Sequence, residues 1–402
     1  MSDNASVMSG GAGHRRRCCA ALVLLALVLA SGCRERSSTE VNIGGTATPG
    51  TPGEAMWLAF KQRAEAASGG RIHLRTLIYG QLGSEEQLLS GLRRGRIQYA
   101  NLSAQVLSTV VPEMTLLYAP FLFDSAEQAD YVYDRYLTGL FRGLLAEQGI
   151  HLVTWYEIGF HDVYGRQPLL VPADARGRRF RIASSLNARL FAEAIGADPV
   201  LLGFGEIVPS LQTGLVEAGE NSVSVYAHTG IAGEAPHLTL THHALGMSVI
   251  VAPRAWWEGL AVGDRRILAE SFPPVTESRR QVREEMAGDL RAADTLGITV
   301  HPLDAVAAAA WRSATRGVTQ ALIEEIGGRA GEVYAVIEAG KAEFARRGGS
   351  AQENVAAGAA PALPGGHSGF SRDSAHSQSS TAVPLIAPLR RSSSASLARV
   401  SG

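Results

Sequence analysis

The sequence predicts an α/β fold, and three observations carry that expectation. Strand-like and helix-like patterns alternate along the chain from Val41 onward. Its 402 residues give room for two domains, or for one large α/β unit with tails. The composition, 46% apolar and 19% charged, is that of a globular protein able to bury a sizeable core.

The elements follow in order. Residues 41–45 read as a first strand running into a Gly/Pro/Thr loop at 44–53. Residues 54–67 place Met56, Trp57, Phe60 and Ala64 at helical spacing, and Ser68-Gly69-Gly70 stops that helix. Apolar and polar residues alternate over 72–78 as in a strand. A helix over 85–94 has its N-cap offered by Gly83-Ser84, and 97–102 is a strand. Residues 110–123 form an apolar connection interrupted by proline, 126–147 read as helix and 152–156 as strand. A short strand at 180–182 leads into a helix at 187–194. A short helix covers 206–213, and 216–225 contains another strand. Residues 276–296 and 305–346 are long, charged, Ala-rich helical runs, and no internal repeat is present.

The two ends have a different character. His14-Arg15-Arg16-Arg17 is a basic n-region, residues 18–30 are continuously apolar, and Ala30-Ser31-Gly32 precedes Cys33. That apolar stretch is short for a membrane span, so 1–32 read as a signal peptide. Leu29-Ala30-Ser31-Gly32-Cys33 also resembles a bacterial lipobox, which would make Cys33 a lipidated first residue and a membrane anchor. Ala30 stands where that pattern has leucine, and ordinary cleavage after the same small residues is the alternative. Export to the periplasm or another extracytoplasmic space follows on both readings, and no later stretch is long and apolar enough to be a transmembrane helix. Residues 33–40 are a polar tether. From 348 to 402 the chain turns to Ser, Ala, Gly and Pro with almost no acidic residues, the composition of a disordered tail. Within it, 385–391 are either a docking motif or only tail.

Charge and cysteine usage narrow the function. A formal net charge of −1 favours no nucleic-acid or polyanion partner. Cys18, Cys19 and Cys33 all lie in or beside the targeting segment, so the body has no disulfide, thiolate nucleophile or cysteine metal site. No nucleophile elbow, phosphate loop or H-E-x-x-H motif occurs, and the expectation is of a non-enzyme with no metal and no cofactor. His237, His242 and His243 fall in one expected loop, and adjacent histidines on a strand would face opposite ways, so they do not suit a single ion. Glu85-Glu86, Glu284-Glu285 and Glu324-Glu325 read as solvated helix faces.

Two segments offer more. Over residues 177–182, alternation puts Arg179 and Arg181 on one side of a short strand and Phe180 and Ile182 on the other. An arginine aimed from a strand into a cleft clamps a carboxylate with two parallel charge-assisted hydrogen bonds; the alternative is an edge strand with solvent-facing arginines. Residues 216–221 form a strand ending in the polar pair Glu220-Asn221, where Asn221 either donates to a ligand oxygen or closes a turn.

At these segments the chain resembles the solute-binding proteins of TRAP transporters (tripartite ATP-independent periplasmic transporters), the DctP-like family. Five motifs carry the resemblance in the family's order: Ile78-Tyr79-Gly80-Gln81-Leu82-Gly83-Ser84-Glu85; Val111-Pro112-Glu113 followed by Ala119-Pro120-Phe121-Leu122-Phe123; residues 177–182; Glu206 with residues 211–216 and Glu220-Asn221; and Trp256-Trp257 with Leu260. It runs from about Val41 to Arg346. The resemblance implies a two-domain periplasmic-binding-protein fold with hinge strands and a long domain-spanning helix. On that pattern residues 41–158 plus 248–285 form one α/β domain, and 159–247 plus 286–347 the other. It implies capture of a small organic carboxylate by hinge closure, and delivery to membrane permease subunits by a monomeric protein. The family's signature arginine falls on Arg181 and its signature asparagine on Asn221, and Glu206 joins the ligand-binding set. The family often has a second cationic contact where His161 stands here; His161 is a weaker, pH-dependent partner, and Arg166 is a possible substitute. A dicarboxylate held by two arginines is correspondingly disfavoured. Val208 replaces the usual tyrosine, and Glu217-Ala218 the usual Asp-Gly. Tyr79, Phe121, Trp155, Tyr156 and Tyr226 stand at strand ends or in connections and are read as cleft walls, with core packing as the alternative for each. A lipoprotein that senses or scavenges ligand on the same fold, without a transporter, is the competing reading.

Overall fold

A computed structural model describes residues 39–358, with side chains to 348. The signal segment, Cys33, most of the tether and residues 359–402 of the expected tail lie outside the described residues.

Among the described residues nine strands form one mixed sheet: β1 (Thr39–Gly44), β2 (Ile72–Leu77), β3 (Tyr99–Ser103), β4 (Ile150–Gly165), β5 (Arg179–Ile182), β6 (Asp198–Leu201), β7 (Ala218–Ser222), β8 (His237–Pro253) and β9 (Thr299–Pro302). Their order is β2-β1-β3-β8-β4-β7-β5-β6, with β9 also pairing β8. Two long strands organise the molecule. β4 and β8 run antiparallel, from Ile150 opposite Pro253 to Gly165 opposite His237. One end of this ribbon takes up β3, through Ala100–Ser103 against Ser248–Val251; the other takes up β7, through His161–Gly165 against Ala218–Ser222. The sheet thus has two halves joined by the same two strands. The ribbon changes register between Glu157 and Gly159, where Gly159 has φ +97° and the Met286 side chain occupies the place a Cβ would need.

Each half buries residues on both faces of its sheet. Neighbours along a strand point to opposite faces, so Trp155 enters one core of the first half, with Leu88, Tyr118 and Phe141, while Tyr156 joins the other, with Trp57, Phe60 and Tyr99. In the second half Val163 packs with Phe180, Phe191 and Trp311, and Tyr164 with Leu211, Tyr226 and Leu238. Burial on both faces also explains where the sequence reading fell short. The expected loop around His237, His242 and His243 is strand β8, and the expected strand at 152–156 is the sixteen-residue β4. Strands covered on both sides lose the in-out alternation by which a half-exposed strand is recognised.

The helices that matter for the site are α1 (Pro52–Ala67), α2 (Glu85–Arg93), α3 (Ala126–Val132), α4 (Val275–Arg291) and α5 (Ala330–Gly358). Ser84 caps α2 in a reciprocal capping box with Gln87. The single helix expected over 126–147 is α3, a π turn at Tyr133–Leu137 and a further helix at Thr138–Glu147. α4 spans both halves: Val282 is buried in the first-half core and Leu290 packs on the second. Its Arg283 bonds Glu157 of β4 (2.6 and 2.9 Å) and Asp130 of α3 (2.8 and 2.9 Å), and Arg279 forks onto Asp134 with two bonds of 2.9 Å. Val318, Leu322, Ala330, Val333 and Ile337 are buried in the core that holds Leu88 and Trp155, while Arg189 bonds Glu325 at 2.7 Å, so the helix at Val318–Ile326 meets both halves where the sequence reading grouped 286–347 with the second. An amphipathic pattern says that a face is covered, not by what. α5 is helical to Gly358, past the composition change at 348.

Candidate functional site

A cavity of about 180 Å³ opens where the two halves meet. Its walls come from the loop after β1, the start of α2, β3, the register shift of β4, the end of β5, the loop after β6, β7 and α4.

β5 contributes Arg181, which is only 6% exposed. Its Nε–H donates to the Leu202 carbonyl at 3.2 Å, and among the described residues no carboxylate forms an ion pair with it and no acceptor takes its Nη hydrogens. A buried, ionised fork without its acid is costly unless something else meets it. Arg179, earlier on the strand, is exposed and bonds the carbonyls of Gly214 and Leu215 and the Glu217 carboxylate. One strand thus carries a buried arginine that lines the cavity and a solvent-facing one.

β7 supplies Glu220 and Asn221. Asn221, 8% exposed, lines the cavity and accepts from the Ser222 N–H through Oδ1 at 2.9 Å. Glu220 is buried and takes a hydrogen bond from His161 Nδ1 on β4. Burial alone would raise the Glu220 carboxyl, but the charge and hydrogen bond of His161, with His243 and Arg181 nearby, hold it well below the usual carboxylate range. The His161 ring meets Tyr118 edge-on at 5.3 Å and lies over Gly246, while its Nε2 is buried without a partner. His243 stacks on Phe191 at 4.1 Å and is kept neutral by burial, its pKa lowered to about 3. His242 instead faces outward, its Nδ1 3.0 Å from the wholly buried carboxylate of Asp162. Adjacent histidines do point opposite ways, and no group of three or more candidate metal ligands occurs among the described residues.

Four acidic side chains also line the cavity. Glu85 accepts from the Ser103 N–H and hydroxyl, both at 2.7 Å, and burial still pushes its pKa up. Glu157, 2% exposed, is raised by burial against the two hydrogen bonds from Arg283. Glu86 is exposed. Glu285 is half-buried on α4, raised by burial and by the charge of Asp289.

Of the residues the sequence singled out, Arg181, Asn221, His161 and Tyr156 meet in the cavity. The others lie elsewhere. Trp155 is core, its Nε1–H bonded to Thr138. Tyr226 is core, stacked on Tyr164 with its hydroxyl on the Ala235 carbonyl. Phe121 packs beneath the Arg312 guanidinium, at 4.4 Å. Tyr79 is 44% exposed and bonds Glu54, Glu206 caps its own turn through the Gly203 N–H, and Arg166 bonds the Leu211 carbonyl from the surface. An aromatic at a strand end is equally suited to core and to cleft, and only packing decides. Missed by the sequence reading were Tyr118, Ser103 and Glu220, and Glu285 was read as solvated. A carboxylate beside a signature asparagine was the available signal for Glu220.

Comparison with known proteins agrees with this architecture. The family described as bacterial extracellular solute-binding protein, family 7 (DctP) matches residues 43–325. The C4-dicarboxylate-binding periplasmic protein of Rhodobacter capsulatus is 27% identical over 299 residues, 73% of this chain and 89% of that protein. A TRAP periplasmic solute-binding protein of Roseobacter denitrificans, solved with bound β-D-glucuronate, superposes with a TM-score of 0.70 at 22% identity, covering 75% of this chain and 99% of that one. The sugar acid binding protein of Advenella mimigardefordensis, in complex with galactonate, gives 0.71 at 21% identity, covering 76% and 99%. With a two-halved sheet on shared strands, a cavity at the junction and a match over most of its length, the chain belongs to the DctP family of TRAP-type bacterial extracellular solute-binding proteins.

Proposed function

We propose that this protein is the extracytoplasmic binding subunit of a TRAP-type transporter, which captures a small organic carboxylate between its halves and delivers it to membrane permease subunits. The observation that carries the reading is Arg181: a guanidinium 6% exposed, inside a cavity, with one backbone bond and no acidic partner among the described residues. A ligand carboxylate supplies the missing acid through a bidentate pair, and Asn221 supports it. His161 shapes the cavity with its ring and leaves anchoring to Arg181, since its Nδ1 is engaged by Glu220. The relatives named above carry C4-dicarboxylate, glucuronate and galactonate in their descriptions, ligands that share a carboxylate. Closure about the β4–β8 ribbon encloses the ligand. Cleavage at the small-residue run, with lipidation of Cys33, holds the monomeric protein at the outer side of a membrane.

The test is calorimetric titration of the purified protein with a panel of small carboxylates, alongside Arg181→Met. Binding that disappears in the variant supports the reading; a carboxylate bound equally well by Arg181→Met removes the anchor. Metabolic labelling with a fatty acid, lost in Cys33→Ser, decides the membrane attachment.

A further inference from the structure

The charges lining the cavity say more than that a carboxylate enters. Two basic side chains line it, and His161 is already paired with Glu220, leaving Arg181. Arg283, close by on α4, is spent on Glu157 and Asp130. Among the four carboxylates, Glu157 has Arg283, Glu85 has the Ser103 N–H and hydroxyl, and Glu86 is solvated. Glu285 is the exception: it is half-buried, it lines the cavity beside Val282 on the inward face of α4, and no ion pair reaches it among the described residues. His228, whose charge acts to lower the Glu285 carboxyl, is bonded to Asp289 at 2.9 Å, and the Ser224 hydroxyl is the side chain that bonds Glu285. The cavity therefore holds one cation on β5 and one anion on α4 that form no ion pair among the described residues, the first near Glu85 and Glu220 and the second bonded by the Ser224 hydroxyl, with Tyr156 and Phe204 among its other walls.

We propose that the ligand is a zwitterion, carrying a single carboxylate for Arg181 and a cationic nitrogen for Glu285. This rests on the carboxylate reading of Arg181 and extends it to the other end of the ligand. A dicarboxylate would bring a second negative charge into a cavity whose remaining charged groups are acidic, and that repulsion excludes it. A hydroxy acid would satisfy Arg181 but leave the half-buried Glu285 with only the Ser224 hydroxyl and no cation. A betaine or an amino acid neutralises both ends.

The experiment titrates the purified protein with matched carboxylates of four to seven carbons, each offered with a terminal ammonium, trimethylammonium, hydroxyl or second carboxylate. The cationic member is expected to bind at least about tenfold tighter than its hydroxyl partner, the equivalent of one charge-assisted contact. Glu285→Gln is expected to abolish that preference, bringing the affinities of the cationic and hydroxyl members within about threefold of each other, and Glu285→Asp, which keeps the charge, to retain it. A hydroxy acid or dicarboxylate that binds tightest in its set, or a preference that survives Glu285→Gln, overturns the inference and leaves Arg181 as a carboxylate anchor. Failure of every carboxylate to bind overturns both.

Discussion

The Nδ1 of His161 and the carboxylate of Glu220 meet in a hydrogen bond between adjacent strands, both side chains buried and both beside Arg181's cavity. His161 stands opposite Ser222 and Glu220 opposite Val163 in the β4–β7 ladder, so the pair bridges the strands one register step from Asn221. Because the carboxyl pKa is lowered on folding, the pair's contribution is present above the unfolded value of about 4.5 and is lost as the pH falls below it. The melting temperature should drop on acidification below pH ~4.5 more steeply in the native protein than in Glu220→Gln. At pH 7 Glu220→Gln should be destabilised by about 3 kcal/mol, since breaking one side of a buried pair strands the other. Differential scanning calorimetry at several pH values checks both; parallel pH curves would remove the pair from the stability of the site.

Arg181 predicts an opposition between stability and binding. Removing an unpaired buried guanidinium relieves a desolvation cost, so Arg181→Met without ligand should melt at or a few degrees above the native protein. The same substitution should weaken carboxylate binding by ~100-fold or more, and Arg181→Lys by ~10-fold, because an ammonium keeps the charge and loses the fork. Thermal unfolding and calorimetric titration read the two effects separately.

Gly246 predicts a steric coupling to the same ring. A Cβ there would lie 2.6 Å from His161 Nε2 and 2.9 Å from the Gly159 carbonyl. Gly246→Ala should therefore cost about 1–3 kcal/mol in urea unfolding, the usual cost of overpacking a filled site. Combined with His161→Ala, which empties the space, the penalty should shrink; additive costs would show that the ring is not what the methyl meets.

Arg283 predicts the mechanical role of α4. Arg283→Ala leaves Glu157, 2% exposed, without its cation, and Asp130 with Arg279 alone. The expected loss is about 3 kcal/mol, most of it recovered by Glu157→Gln in the same chain. Denaturant midpoints of the single and double variants measure this.

The sequence made some of this legible, and physical chemistry explains the division. Ser84 before α2 is local chemistry, and its cap was found. A motif places Arg181 and Asn221 on strand ends, and both line the cavity. Trp155 and Tyr226 were read as cleft walls because nothing in an aromatic's neighbours tells core from cavity, and their packing is non-local. Glu285 escaped because a charge in a helical run normally faces water; what makes it different is the helix's position across β4, which no pattern within α4 encodes. β8 escaped because burial on both faces erased its alternation.

The shared ribbon has a consequence for how such a chain is made. β3 pairs β1 early but finds its second partner only when Ser248–Val251 exist, and β4 needs the same strand, so the amino-terminal half has no complete sheet until most of the protein has been synthesised. Contacts this distant in sequence form late and slowly. A nascent chain that stops short of residue 248 has an open strand edge and half a core, and it stays threadable. If the chain is exported as proposed, delayed folding keeps it competent for translocation until its last long strand has followed it through.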